Sequence, residues 1–172
     1  MKNLTVLLFL SFSFSAFWIS YDVQYEAESS GVIYDFDTGA LTVGYEKKLP
    51  SNNLIFGLGY DLKGAELGGE YDSDTEWTCM NIYAKYPFQL DNNSFLFGTF
   101  GYTIPTGDAD DAGLDSGISL GFGYSHSSGI GLSYTIHQSG IENSYYDSYY
   151  GSYYSMGSTS IDLNRLSISY TF

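Results

Sequence analysis

Two stretches of this chain carry residue types able to transfer a proton or a group. His126, Ser127 and Ser128 stand side by side. An imidazole beside a hydroxyl can activate it as a nucleophile, provided that an acid orients the base. No such acid is evident near them. His137, the other histidine, has no obvious nucleophile beside it. The second stretch holds Asp108, Asp110, Asp111 and Asp115. An EF-hand places Asp or Asn at its fifth position and a closing Glu at its end. Both are missing, so these four are weak metal candidates in a solvated acidic loop. The lone Cys79 excludes an internal disulfide and a Cys-rich metal site. No cofactor is expected, and the chain is read as a non-enzyme.

Two further groups matter for binding. Tyr145-Tyr146, Tyr149-Tyr150 and Tyr153-Tyr154 recur every four residues, with Asp, Ser and Gly between them. Rigid amphipathic rings among small polar spacers suit an adhesive surface. They could equally extend the neighbouring strands and supply an aromatic girdle. The other group is a set of charges on strand faces that alternate with apolar residues: Glu26, Glu46, Lys48, Asp61, Lys85, His137 and Arg165. Desolvated charges need partners.

The elements that position these groups have a period of two. In Ser160–Phe172, Leu166, Ile168, Tyr170 and Phe172 alternate with Arg165, Ser167, Ser169 and Thr171. That is one apolar and one polar strand face. The pattern recurs over Ile19–Ala27, Gly39–Leu49, Leu54–Leu62, Glu76–Phe88, Ser116–Ser125 and Gly129–Gln138. Phe95–Ile104 is apolar on both parities, and its faces stay unassigned. These eight segments approach the roughly 9–11 residues that a tilted membrane strand needs. Connections after the second, fourth and sixth strands are short, while those after the first, third, fifth and seventh are long and polar. Glu28–Thr38, Lys63–Thr75, Pro105–Asp115 and Ser139–Thr159 are read as the long loops. Short turns on one rim and long loops on the other define an up-and-down transmembrane β-barrel, all-β and antiparallel. A soluble ligand-binding barrel would put its apolar face inside. Here Gly, Ser, Thr and charges share the inward parity, so the apolar face meets lipid.

Closure must pair the first strand with the last. Counting from the short-turn rim, Arg165 and Glu26 each lie seven residues up, which predicts an interior ion pair of Arg165 with Glu26 or a neighbouring acid. Ile161 and Leu163 share the parity of Arg165, so either a bulge lies near Asn164 or the upper strand stands clear of the membrane. The lumen is read as a polar plug, with Gly57, Gly59, Gly121, Gly123 and Gly131 leaving room for larger polar groups.

The bounds agree. The 172 residues make one domain, 19% aromatic, with a net charge of −14. That charge leaves no basic footprint for nucleic acid. Residues 1–15 carry Lys2 and a short apolar run, read as a secretory signal peptide with cleavage at 15–20. Residues 16–172 then form the barrel. The export signal, the eight strands, the loop alternation and the terminal Tyr170-Thr171-Phe172 resemble small bacterial outer-membrane β-barrels of the OmpX/Ail and OmpA-transmembrane-domain type. The resemblance implies an outer-membrane location among lipid and lipopolysaccharide. It implies handling by the barrel-assembly machinery through Tyr170 and Phe172. It also implies a monomer with a structural or surface-interaction role through its loops, in some cases with a cell-surface ligand. A narrow solute pore is the alternative. Because some such barrels modify lipid A with His, Ser and an acid, the His126-x-Ser128 spacing makes an enzyme the third reading.

Overall fold

The computed structural model describes residues 15–50, 52–66, 76–111, 113–147 and 152–172, with the backbone alone for 15, 142–147 and 152–157. In chain order the elements are β1 (Ser15–Ser29), β2 (Val32–Asp35), β3 (Leu41–Lys48), β4 (Ile55–Lys63), β5 (Ala65–Glu66), β6 (Glu76–Gln89) and β7 (Ser94–Thr106). A one-turn helix, α1 (Asp108–Asp111), precedes β8 (Gly117–His126), β9 (Ile130–Asp147) and β10 (Ser152–Thr171). The neighbour order is β10-β9-β8-β7-β6-β4-β3-β1, and β10 pairs back onto β1. Eight antiparallel staves therefore close a barrel. β2 and β5 are short additions on the long-loop side.

Alternation decides which face meets what. Outward residues such as Phe56, Leu58, Tyr60, Phe100, Leu120, Phe122, Leu132 and Ile168 are 45–66% exposed. Every stave but β3 carries such positions, an apolar belt far larger than a water-facing monomer tolerates. In lipid the same belt is solvated, and closure satisfies every stave's backbone. The undecided stave resolves too. On β7, Phe97, Gly101 and Thr103 are buried, while Leu96, Phe100 and Tyr102 are exposed.

Turn chemistry sets the two rims. Leu49 to Leu54, Leu90 to Ser94 and Ser127 to Gly129 are tight connections, as Leu49 N–H to Leu54 O (2.9 Å) and Gly129 N–H to His126 O (2.9 Å) show. On the far rim, three expected loops contain structure. Ser30 and Gly31 both lie in the left-handed region, at φ 52° and 78°. A two-residue type I′ hairpin requires this, and it folds β2 back onto β1 with Ser29 opposite Val32. The Ser-Gly dipeptide before Val32-Ile33-Tyr34 was the signal for it. β5 pairs with β6, and α1 sits in the acidic connection. The fourth expected loop, Ser139–Thr159, is mostly a continuation of β9 and β10, which stay paired up to Asp147 and Ser152.

One irregularity redirects the interior. In the β1–β10 ladder Asp22 faces Ser167 and Gln24 faces Leu166, so Val23 is an extra, bulged residue. A bulge inserts one residue and shifts the parity beyond it. Below it Ser20 and Asp22 point inward; above it Tyr25 and Ala27 do, and Gln24 and Glu26 turn outward.

Candidate functional site

The lumen is where the charged residues gather. Arg165, on β10, is 4% exposed. Its Nε donates to Asp22 Oδ2 at 2.7 Å, Nη1 to Asp61 Oδ2 at 3.2 Å, and Nη2 to both Asp61 Oδ1 and Thr42 Oγ1 at 3.0 Å. The contact with Asp61 is a two-pronged fork, the strongest geometry open to a guanidinium. The carboxylates are held in turn. Ser167 Oγ donates to Asp22 Oδ1 (2.6 Å), Thr42 Oγ1 to Asp61 Oδ1 (2.6 Å), and the Cys79 N–H to Asp61 Oδ2 (3.0 Å). The last bond replaces a ladder contact, because β4 and β6 pair regularly only up to Tyr60 and Met80. The guanidinium also lies 5.2 Å from the centre of the Tyr25 ring. Four strands, β1, β3, β4 and β10, thus meet through one arginine.

The expected partner Glu26 is not in this group. Beyond the Val23 bulge its side chain leaves the lumen and accepts a hydrogen bond from Gln24. Asp22, four residues earlier, takes the place expected of it. Of the other predicted lumen residues, Asp61 joins Arg165, and Glu46 and Lys85 form their own pair lower down, at 2.6 Å. Tyr83 Oη donates to the same Glu46 Oε1 at 2.8 Å. His137, 4% exposed, meets Thr103 Oγ1 through Nδ1, and Thr103 donates to Asn81 Oδ1 at 2.7 Å. Lys48 stays at the rim, exposed.

Rings occupy the space that the inward glycines leave, not polar groups alone. Trp18, Tyr83 and Phe97 stand directly opposite Gly44, Gly57 and Gly123 on the neighbouring strands. A Cβ added at these three glycines would come within 2.2, 2.1 and 2.4 Å of the facing ring. Each ring therefore lies flat on the inner wall. Lys85 Nζ sits 4.6 Å from the Phe97 centroid. The centre of the lower lumen stays open as a cavity of about 120 Å³, lined by those rings, Glu46, Lys85, Arg165 and a run of Ser and Thr.

Above Arg165 the interior is apolar. Tyr25, Ala27, Ile161 and Leu163 from the closing strands pack with Ala40, Ala65, Trp77, Ala109 and Leu114, and with Phe36 and Ile141 at the margin. Phe36 stands edge-on to both Tyr25 (4.5 Å) and Trp77 (5.4 Å). This corrects the reading of a polar plug. It also settles the parity of Ile161 and Leu163, which point inward on a ladder that runs regularly from Ser158 to Tyr170.

The remaining candidates lie outside the lumen. Asp108 Oδ2 accepts the Glu76 N–H at 3.1 Å, Asp110 and Asp111 are exposed on α1, and the Asp115 backbone pairs with Gly140. No three metal-binding side chains converge among the described residues. His126 sits at the tight-turn rim, where Nδ1 lies 2.9 Å from Ser128 Oγ and accepts the Ser128 N–H at 3.1 Å. In the adjoining turn the Asn93 N–H holds the Asp91 carboxyl below its usual range, and the His126 charge adds to this. These groups are solvent-facing, with no enclosing pocket. Tyr145, Tyr146, Tyr153 and Tyr154 lie on the β9–β10 hairpin, with Tyr146 opposite Tyr153 and Tyr145 opposite Tyr154. Their side chains, and all of Tyr149 and Tyr150, lie outside the described residues, as does residues 1–14 of the expected signal peptide. Tyr170 and Phe172 meet edge to face at the end of β10, centroids 5.1 Å apart. The Phe172 N–H is bonded to Phe17 O at 2.9 Å, and the Thr171 N–H to Gly129 O at 2.8 Å.

An inward polar ring, an outward apolar belt and a closed eight-stave ladder define a membrane-spanning barrel. Among solved structures the chain is similar to Neisserial surface protein A, at 10% identity over 92% of this chain and 96% of that one, with a TM-score of 0.53. It also matches the attachment invasion locus protein Ail of Yersinia pestis (12% identity, 92% and 97% covered, TM-score 0.47) and the outer-membrane protein AlkL (14%, 92% and 90%, TM-score 0.46). The likeness to the Neisserial protein is one of fold: the chain has the closed, eight-stranded antiparallel architecture of the small bacterial outer-membrane barrels. No family model and no curated protein sequence matches it.

Proposed function

We propose that this protein resides in a bacterial outer membrane and acts at the cell surface, in a structural or interaction role, through what stands above its lipid belt. The observation that carries this reading is the divided lumen. A buried Arg165–Asp22–Asp61 cluster ties adjacent staves together inside the bore, and an apolar core lies above it. A solute crossing the barrel would have to break a desolvated ion pair and disperse that core. Function is then left to the long-loop side, where the β9–β10 hairpin rises beyond the other staves with its Tyr pairs. There β2 also presents Val32, Ile33 and Tyr34 at 50, 60 and 42% exposure. Outer-membrane lipid and lipopolysaccharide are its surroundings in this reading, and the barrel-assembly machinery reads the Tyr170–Phe172 end.

The test is made on cells. Outer-membrane fractions should contain a heat-modifiable band for the intact chain. Replacing all six Tyr from Tyr145 to Tyr154 with Ser should reduce adhesion to host-cell or matrix surfaces while leaving that band unchanged. Equal adhesion by the two chains would defeat the interaction role. Solute flux into liposomes carrying the unmodified protein would favour a pore, and a change in lipid A mass dependent on His126 would favour an enzyme.

A further inference from the structure

We propose that the lower lumen is a one-ended vestibule that binds a small neutral polyol, between glycerol and a hexose in size, entered from the tight-turn rim. The first ground is shape. The cavity runs from Thr171, the last residue of β10, up to Arg165, His137 and Asn81, where the ion cluster and the apolar core close it. Thr171, beside the tight-turn rim, lines the same space as Lys85 and Glu46, which keep 17% and 11% side-chain exposure. At about 120 Å³ the space holds on the order of four waters, at about 30 Å³ for each, and it is open at one end. That is the room of a few linked hydroxymethylene units, and too little for an oligosaccharide.

The second ground is the chemistry of the walls. Nine Ser and Thr hydroxyls line the cavity. Those of Thr42 and Ser167 are engaged by Asp61 and Asp22, and the other seven line open volume. A hydroxyl both donates and accepts, so such a wall matches a ligand made of hydroxyls. The Trp18 indole lines the same cavity, with Nε1 buried against the wall at Gly44. Because Trp18 and Tyr83 lie flat over glycines, they offer ring faces instead of edges, surfaces against which the C–H face of a sugar can rest, while Lys85 covers the Phe97 face.

The third ground is charge. Lys85 is matched by Glu46, and Arg165 is held by Asp22 and Asp61. No cation is left unanswered for an anion; the one excess carboxylate of the Asp22–Asp61 pair is held by hydrogen bonds from Ser167, Thr42 and the Cys79 N–H, and a charged solute would have to displace these contacts. A neutral ligand meets the wall without that cost.

Trp18 supplies the reporter, since the chain has two Trp residues and Trp77→Phe leaves it alone. This variant, refolded in detergent micelles and checked for heat-modifiable mobility, is titrated with glycerol, with glucose and with the trisaccharide raffinose. Trp18 emission should shift to a plateau with the first two and drift linearly, without a plateau, with raffinose. Adding Ser133→Phe, which fills the vestibule, should abolish the plateau. A linear response to all three solutes, or an unchanged plateau after filling, overturns the proposal. If either variant fails to fold, saturation-transfer NMR on the unmodified protein decides: transfer to glucose protons but not raffinose supports the site, and no transfer to either overturns it.

Discussion

Below Arg165 the inward positions are Ser, Thr, Gly and the Glu46–Lys85 pair, with three rings laid against the wall. Above it they are Ala, Leu, Ile, Trp and Tyr packed across the bore. The same closing strands build both halves: Ser167, Ser169 and Thr171 of β10 face the open chamber, while Ile161 and Leu163, a few residues up, face the core. The difference lies in what arrives from the connections. An eight-stave barrel is narrow enough for side chains to fill, but small residues leave the lower half open. The upper half is closed because Phe36, Ala65, Ala109 and Leu114, all from the far-rim connections or their short elements, fold in over it. The long loops are thus also structural, and Arg165 marks the boundary at which open and closely packed interiors meet.

The sharpest way to break this contrast is to remove the boundary. Arg165→Met strands two buried carboxylates and should cost about 3–5 kcal/mol, read as an earlier urea midpoint in refolded protein. Adding Asp22→Asn and Asp61→Asn should recover much of that loss; no loss in the single variant would mean that the cluster does not hold the halves apart. Next comes the closely packed half. Leu163, 1% exposed, truncated to Ala should cost about 2–5 kcal/mol through the cavity left behind. The same measurement on Ser133→Ala, in the open half, should show a change within about 0.5 kcal/mol. Third, Gly57→Val drives a branched side chain into the Tyr83 ring and off Glu46. Overpacking of this kind costs about 1–3 kcal/mol, and the near-ultraviolet dichroism of Tyr83's surroundings should change with it. The smallest effect tests the bulge. Glu26→Gln should alter stability by no more than about 0.5 kcal/mol, whereas Asp22→Asn alone weakens the Arg165 cluster. Equal losses from the two would contradict the parity shift at Val23.

Much of the frame was legible along the chain. The segment over Leu54–Leu62, with Phe56, Leu58 and Tyr60 against Gly57, Gly59 and Asp61, forms a stave with those faces. Local alternation carries that information, because side-chain direction along a strand reverses at each residue. The same logic led to Glu26 and failed there, since a bulge costs one residue and leaves no mark in composition. It also left Phe95–Ile104 undecided, where Phe97 is inward only because Gly123 opposite makes space for its ring. A glycine's vacancy is visible in sequence, but its occupant comes from another strand.

By itself, then, the sequence determined the number and order of the staves, the lipid-facing side of most of them and the rim on which the long connections fall. These follow from periodicity and turn residues, which are local. Only the tertiary structure decided that Asp22 rather than Glu26 meets Arg165, that Asp61 and Thr42 join them, and that an apolar core caps the lumen. Those outcomes depend on register and barrel closure, which bring together residues as distant as Asp22 and Arg165, and no stretch of chain encodes its partner's stagger.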